Sequence, residues 1–252
     1  MNLKRITTFI SIVVVLAGCT LAAIPLKNEQ IREIKKIGIV SFVGNEFSYA
    51  NLGFTVFGNS ENLVEQEYID FDKEVTKVLK STIQTKLNNP TKIDVVDVEF
   101  DSSALLGSYK ENGKYRKFKI ELVANELAQI AKANNLNYLL VVTRGYNAID
   151  NGAGFMGGIG ISRTSAMKEG QLTIHNYLDY KLFDASTLTT PAFFSTAAMN
   201  FGQKRDIQFS WKEPLTDYSE TERAELITMI KEDIEYRVPW AVTYMLSYRS
   251  GK

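Results

Sequence analysis

The 252-residue chain has one cysteine, one histidine and only five prolines. A lone cysteine excludes an internal disulfide, and one cysteine with one histidine excludes by count a zinc site built from those residue types. A serine nucleophile relay would have to use His175, yet no G-x-S-x-G elbow is present to expose the serine. An excess of one charge is also missing: 29 basic residues balance 29 acidic ones, which argues against the concentrated basic face that nucleic acid requires. No repeat of fixed period and no low-complexity tract occurs, which removes solenoids and propellers. The apolar run from Ile6 to Ala17, interrupted by Thr7, Thr8 and Ser11, falls short of the about 20 residues of a membrane-spanning helix.

What is present is enough apolar material for a packed core: 45% hydrophobic residues, with 14 Phe and 12 Tyr. The amino terminus carries Lys4 and Arg5 ahead of the short apolar run, the charged and hydrophobic regions of a secretory signal. It ends in Leu16-Ala17-Gly18-Cys19, which resembles the lipobox of bacterial lipoprotein precursors. That resemblance implies cleavage after Gly18 and a diacylglyceryl thioether on Cys19, so the single cysteine needs no partner. Several acyl chains, at about 0.8 kcal/mol per buried methylene, make such an anchor effectively permanent. Thr20 in the second mature position implies an outer membrane destination, facing the periplasm, if the source has such a membrane. The organisation expected is therefore a signal peptide over 1–18, a lipidated Cys19 with its tether over 19–33, and one domain over 34–252. Without Lys4 and Arg5 the mature chain carries 27 basic residues against 29 acidic ones.

Along the mature chain, Ile37 to Val43 is a continuous β-branched and apolar run that predicts a strand covered on both faces. Residues 45–59, punctuated by glycines, predict a long loop, alone or with a short strand around Phe54 to Phe57. Phe71, Val75, Val78, Leu79, Ile83 and Leu87 then recur at helical spacing, with Asp70 or Asp72 placed to cap the start. Ile93 to Phe100 alternates as a strand, Tyr115 to Asn134 predicts a second helix, and Tyr138 to Thr143 a third strand. In the second half, Leu172 to Leu182 and Pro191 to Phe201 form the simplest antiparallel hairpin. A long helix follows from Ser219 or Thr221, which Pro239 should kink or restart.

Strand, helix, strand, helix, strand is the pattern of βαβ units. The fold class expected is α/β, with α+β character in the second half: a mixed sheet of about five strands, a parallel βαβαβ first half plus an antiparallel hairpin, and three main helices. By topology this resembles the small α/β domains of the TolB amino-terminal type and the periplasmic domain of curli-secretion lipoproteins of the CsgG type.

Three constellations bear on chemistry. Gly152-Ala153-Gly154-Phe155-Met156-Gly157 fits G-x-G-x-x-G, but a dinucleotide site needs it to open a helix, and Gly158-Ile159-Gly160 follows instead. A mobile loop or hairpin tip is the expected structure, and no cofactor is expected. His175 is expected to be a sheet residue. Asp97, Glu99 and Asp101 share one side of an extended segment, where a solvated face is expected over a calcium site. The remaining feature is topological. In an open parallel sheet ligands bind beyond the carboxyl ends of strands, where strand order reverses. There the loops after Val43 and Thr143 would bring together Asn45, Phe47, Tyr49, Phe54, Arg144, Tyr146, Phe155 and Arg163, an aromatic and arginine set of the kind partner surfaces use. The alternative is that these aromatics fold back onto the core.

The function expected is a non-catalytic envelope lipoprotein that binds another protein or assembles with its own copies, held on the membrane by the lipid on Cys19. A periplasmic binding module or hydrolase for a cell-wall or small polar ligand is the second expectation. The third is a subunit of an oligomeric export pore, with Gly152 to Gly160 in a membrane-inserting hairpin, as resemblance to the curli-secretion lipoproteins suggests.

Overall fold

The computed structural model describes residues 23–53, 58–108, 110–111, 114–115, 118–148, 155–164, 171–196 and 205–249. Cys19, Phe54 and the 1–18 segment lie outside the described residues. In chain order the first strands and helices are β1 (Ala23–Ile24), α1 (Asn28–Glu33), β2 (Lys36–Ser41), β3 (Glu46–Leu52), β4 (Ser60–Glu65), α2 (Phe71–Thr85), β5 (Asp94–Val96) and α3 (Ser102–Gly107). A small hairpin, β6 (Lys110–Glu111) and β7 (Lys114–Tyr115), precedes α4 (Ala124–Ala133) and β8 (Tyr138–Arg144). Then come β9 (Tyr146–Ala148), β10 (Phe155–Thr164), β11 (Gln171–Asp184), β12 (Thr189–Ser195), β13 (Arg205–Gln208) and α5 (Glu220–Leu246).

The fold is mixed α/β, and its first half is the expected βαβαβ unit. β2 lies between β5 and β8 and runs parallel to both. Its residues alternate between two cores. Ile37 and Ile39 join Leu140 and Val142 under α2 and α5, while Val40 and Phe42 join Leu139 and Val141 under α4. Burial on both faces is why these strands read as unbroken apolar runs. α2 starts at Asp70, whose carboxylate accepts from the Lys73 amide at 2.8 Å. α5 starts at Ser219, which forms a capping box with Glu222, a device typically worth about 1 kcal/mol.

Several boundaries differ from the sequence expectation. α5 runs through Pro239 without restarting; Glu235, whose carbonyl loses its intrahelical partner to that proline, is exposed. The second helix begins at Ala124 rather than Tyr115, because Phe118 is drawn into the core edge-on to Phe42 at 5.1 Å. The strand expected over Ile93 to Phe100 ends at Val96, since Asp97 turns to Lys80 and Asp101 caps α3 instead. Residues 23–33, expected to be part of a tether over 19–33, do not form one. From Ala23 the chain is part of the body, with β1 paired to β12 and both Leu26 and Ile31 buried.

The largest difference is the extent of the sheet. Where about five strands were expected, eleven join one sheet, in the order β4-β3-β10-β11-β8-β2-β5 with β1, β9, β12 and β13 paired alongside. The expected hairpin, β11 with β12, is present. β11 is long enough to serve two regions. Its carboxyl half, from Leu178, pairs with β8 and β12, and its amino half, to Tyr177, pairs with β10 and β13. At the change of partners the Gly145 amide donates to the Tyr177 carbonyl at 2.8 Å, and the Leu178 amide to the Thr196 hydroxyl at 2.7 Å. Of the glycine-rich segment Gly152 to Gly160, expected to be a mobile loop or hairpin tip, residues 152–154 lie outside the described residues, and Phe155 to Gly160 belong to β10, a strand paired with β3 and β11. Its small residues let backbones approach closely on one face, while Ile159 and Ile161 fill the core on the other.

Candidate functional site

The strand order reverses between β2 and β8, where the sequence places a binding crevice. That crevice is filled. Arg144, at the end of β8, is 1% exposed and donates to the carbonyls of Glu46 at 2.8 Å and Gly157 at 3.3 Å. The guanidinium lies against Gly158, which has φ +67; a Cβ there would stand 2.3 Å from the Arg144 Cζ. A side chain is therefore doubly excluded at this glycine.

Nearby, and lining an open trough along α2 with Ser41, is Asp72. It accepts from the Ser41 hydroxyl at 2.7 Å and from the amides of Val43 at 2.7 Å and Gly44 at 3.2 Å, fastening the β2–β3 turn to the first turn of α2. Burial pushes its carboxyl above the ordinary carboxylate range, and those hydrogen bonds pull against the shift.

The loop-edge set divides accordingly. Phe47 and Tyr49 fold back onto the core, edge to face at 4.9 Å, because β3 turns its odd positions toward the helices. Arg144 and Tyr146 meet around Gly157, whose backbone leaves room for the Tyr146 ring. Burial raises the Tyr146 hydroxyl, with Arg144 opposing. Arg163 lies over the Trp211 ring at 4.6 Å and donates to Asn51 at 3.1 Å. Phe155 opens β10. Asn45 is exposed.

His175 is a sheet residue, as expected, opposite Gly160 in β10 and stacked on Tyr177 at 5.6 Å. It is 2% exposed, and neither ring nitrogen has a hydrogen-bond partner among the described residues. Burial, reinforced by Arg144 and Arg237, depresses its pKa to about 3, so the ring is neutral at neutral pH. Among the described residues no group of three His, Cys, Asp or Glu side chains is placed to hold a metal ion. Asp97 is salt-bridged to Lys80 at 2.7 Å, and Asp101 accepts from the Ser103 amide at 2.9 Å.

The trough that runs along α2 has a volume of about 980 Å³. One wall is the helix face carrying Lys73, Thr76, Lys77, Lys80 and Gln84; the other runs from Val95 through Phe100 to Leu106. Asn45 and Gly44 close one end. Ile39, Val96 and Val98 contribute apolar lining, while Lys73, Lys77 and Lys80 with Glu65, Asp70 and Asp97 contribute charges of both signs. At 1.5 Å per helical residue the wall is about 20 Å long, the span of about six extended residues. A volume of this size spread along that length has the width of one extended chain. The Lys80–Asp97 pair is a surface bridge worth about 0–1 kcal/mol, so it opposes an incoming chain only weakly.

No family model matches the chain, and no curated protein matches it. Among solved structures it is similar to the PelC dodecamer from Paraburkholderia phytofirmans, with 6% identity, a TM-score of 0.36, and 90% of this chain and 96% of that one covered. A point variant of the same dodecamer gives 8% identity and a TM-score of 0.34, over 91% and 96% of the two chains. Scores this low carry no argument about fold or function.

Of the trough residues, Asn45, Asp70, Asp72 and Asp97 stand out in the sequence, each for another reason, but the α2 face that forms one wall does not, although a signal is there. Lys73, Lys77 and Lys80 follow i, i+4, i+7 on the α2 face opposite the core stripe Val75, Leu79 and Ile83. Val98 and Phe100 are apolar positions beyond the end of β5 with no strand paired outside them among the described residues.

Proposed function

We propose that this protein is a lipid-anchored envelope protein, non-catalytic, that binds an extended segment of a protein partner along α2. The observation that carries the reading is the trough: a lining of apolar residues and of charges of both signs, about the length of a short peptide, between α2 and the segment after β5. A compact pocket for a small polar ligand would converge a few polar groups on one point, whereas Lys73, Lys80 and Gln84 are spread over three turns. The lipobox resemblance at Leu16 to Cys19 supports the anchor, and the same trough serves if the partner is another copy of this chain.

The test is site-specific photocrosslinking in the envelope, with benzoylphenylalanine at Thr76 or Gln84 and, as control, at the exposed Glu220. A single discrete adduct from both trough positions, absent from the control and lost in a Lys80→Glu background, is expected. An adduct of twice the chain mass identifies self-assembly. Correctly folded protein giving no adduct at either trough position would contradict the reading.

A further inference from the structure

The carboxyl half of α5 carries Tyr236, Trp240 and Tyr244 at spacings of four, one above another on the helix surface. Tyr236 is 73% exposed and Trp240 is 39% exposed, the largest apolar side chains that the described part of this helix shows to solvent. Trp240 stacks on Tyr244 at 5.8 Å and meets Phe194 edge-on at 5.0 Å, so it is fixed in place. Arg249 lies over the Tyr244 ring at 5.1 Å, and Arg32 over Tyr248 at 5.2 Å. Glu232, one turn before Tyr236, ends the ridge on its acidic side.

The start of the described chain lies at the same place. In β1, Ala23 pairs with Phe194 and Ile24 with Phe193, and Ile24 is itself exposed. The segment that follows is clamped to the end of α5: the Leu26 amide donates to the Met245 carbonyl at 3.0 Å. Asn28 and Arg249 exchange hydrogen bonds at 2.6 and 2.9 Å. The chain therefore enters the body beside the aromatic ridge, with no slack after Ala23.

We infer that this ridge is the membrane-contact surface of the protein, seated in the headgroup region of the bilayer. The inference rests on the lipid-anchored reading. From Cys19 to Ala23 is four residues, at most about 14 Å of extended chain. A lipid on that sulfur keeps Ala23, and with it Phe194 and the Trp240 ring that touches Phe194, close to the headgroup layer. Tyrosine and tryptophan, apolar in body and polar at the tip, favour that layer, and arginines beside them meet lipid phosphates. The protein thus has a fixed orientation rather than a free swing on its anchor.

The full-length protein, purified from membranes with its own modification, is reconstituted into phosphatidylcholine–phosphatidylglycerol vesicles brominated high on the acyl chains. Trp211→Phe leaves Trp240 as the sole tryptophan, and Trp240→Phe leaves Trp211; the wild type minus Trp240→Phe gives the same Trp240 signal should Trp211→Phe fold poorly. Emission from Trp240 is expected to fall about twofold or more, as for interfacial tryptophans, while Trp211 is unaffected. Protein that floats with the vesicles while Trp240 stays unquenched overturns the inference and leaves the anchor standing, with the ridge then a docking face for protein. Protein that does not float overturns both.

Discussion

Replacing Gly160 with alanine is expected to lower the unfolding free energy by about 3 kcal/mol or more, at the upper end of overpacking effects. A Cβ on Gly160 would stand 1.9 Å from the Ser48 carbonyl oxygen and 2.7 Å from its carbonyl carbon. Those atoms are backbone of the neighbouring strand, so no rotamer change relieves the contact. Nor can β3 retreat, since Phe47 and Tyr49 hold it to the core and β4 pairs along its other edge. Only separation of β3 from β10 makes room, and that gives up the parallel register from Gly160–Ser48 to Thr164–Leu52. Gly107, in α3, is the control: a Cβ there meets nothing within 4 Å, and alanine should be neutral or stabilise by up to about 1 kcal/mol. Urea denaturation of the two variants measures the contrast, and equal midpoints would show that β10 does not pack against β3 as described.

Acidification below about pH 6 is expected to cost stability on the order of 1 kcal/mol per pH unit through His175 alone. The folded ring has a pKa of about 3 against 6.5 for the ordinary side chain. Between those values the unfolded chain takes up a proton that the folded chain rejects, so falling pH favours unfolding. The stability is complete above about pH 6.5 and is lost progressively toward pH 3, the sign for a base whose folded pKa is lowered. His175→Phe keeps an aromatic ring against Tyr177 and has nothing to titrate. Its unfolding free energy, measured by denaturant titration at about pH 6, 5 and 4, should therefore lack this part of the wild-type slope. Parallel curves for the two proteins would mean that His175 is solvated or hydrogen-bonded in solution.

The part of the fold legible in the sequence is the part built by large side chains. β2 and β8 showed as apolar runs because both faces are covered, and α2 and α5 showed through stripes such as Leu226, Ile230, Ile234 and Val238. β3 and β10 were hidden for the converse reason. Their shared outer face uses Ser48, Ala50, Gly158, Gly160 and Ser162, residues that signal loops by composition and here allow close backbone approach. The candidate site followed the same divide. The strand order does reverse where the sequence places the switch point, but Arg144, Phe47 and Tyr49 are buried in the joint with the added strands, an extension that no apolar pattern announces. The trough was missed because one wall is an ordinary solvent-facing helix face and the other is built of residues packed on the cores, and only the placement of α2 beside the segment after β5 brings them together.

The proposed anchor would set where this molecule works, and the proposed roles of the trough and the aromatic ridge both rest on it. Intact-mass spectrometry of the protein extracted from membranes tests it most directly. The expected species begins at Cys19 and carries a diacylglyceryl group with a further acyl chain on the new amino terminus. An unmodified Cys19 thiol, or a chain that retains Met1 to Gly18, would contradict it.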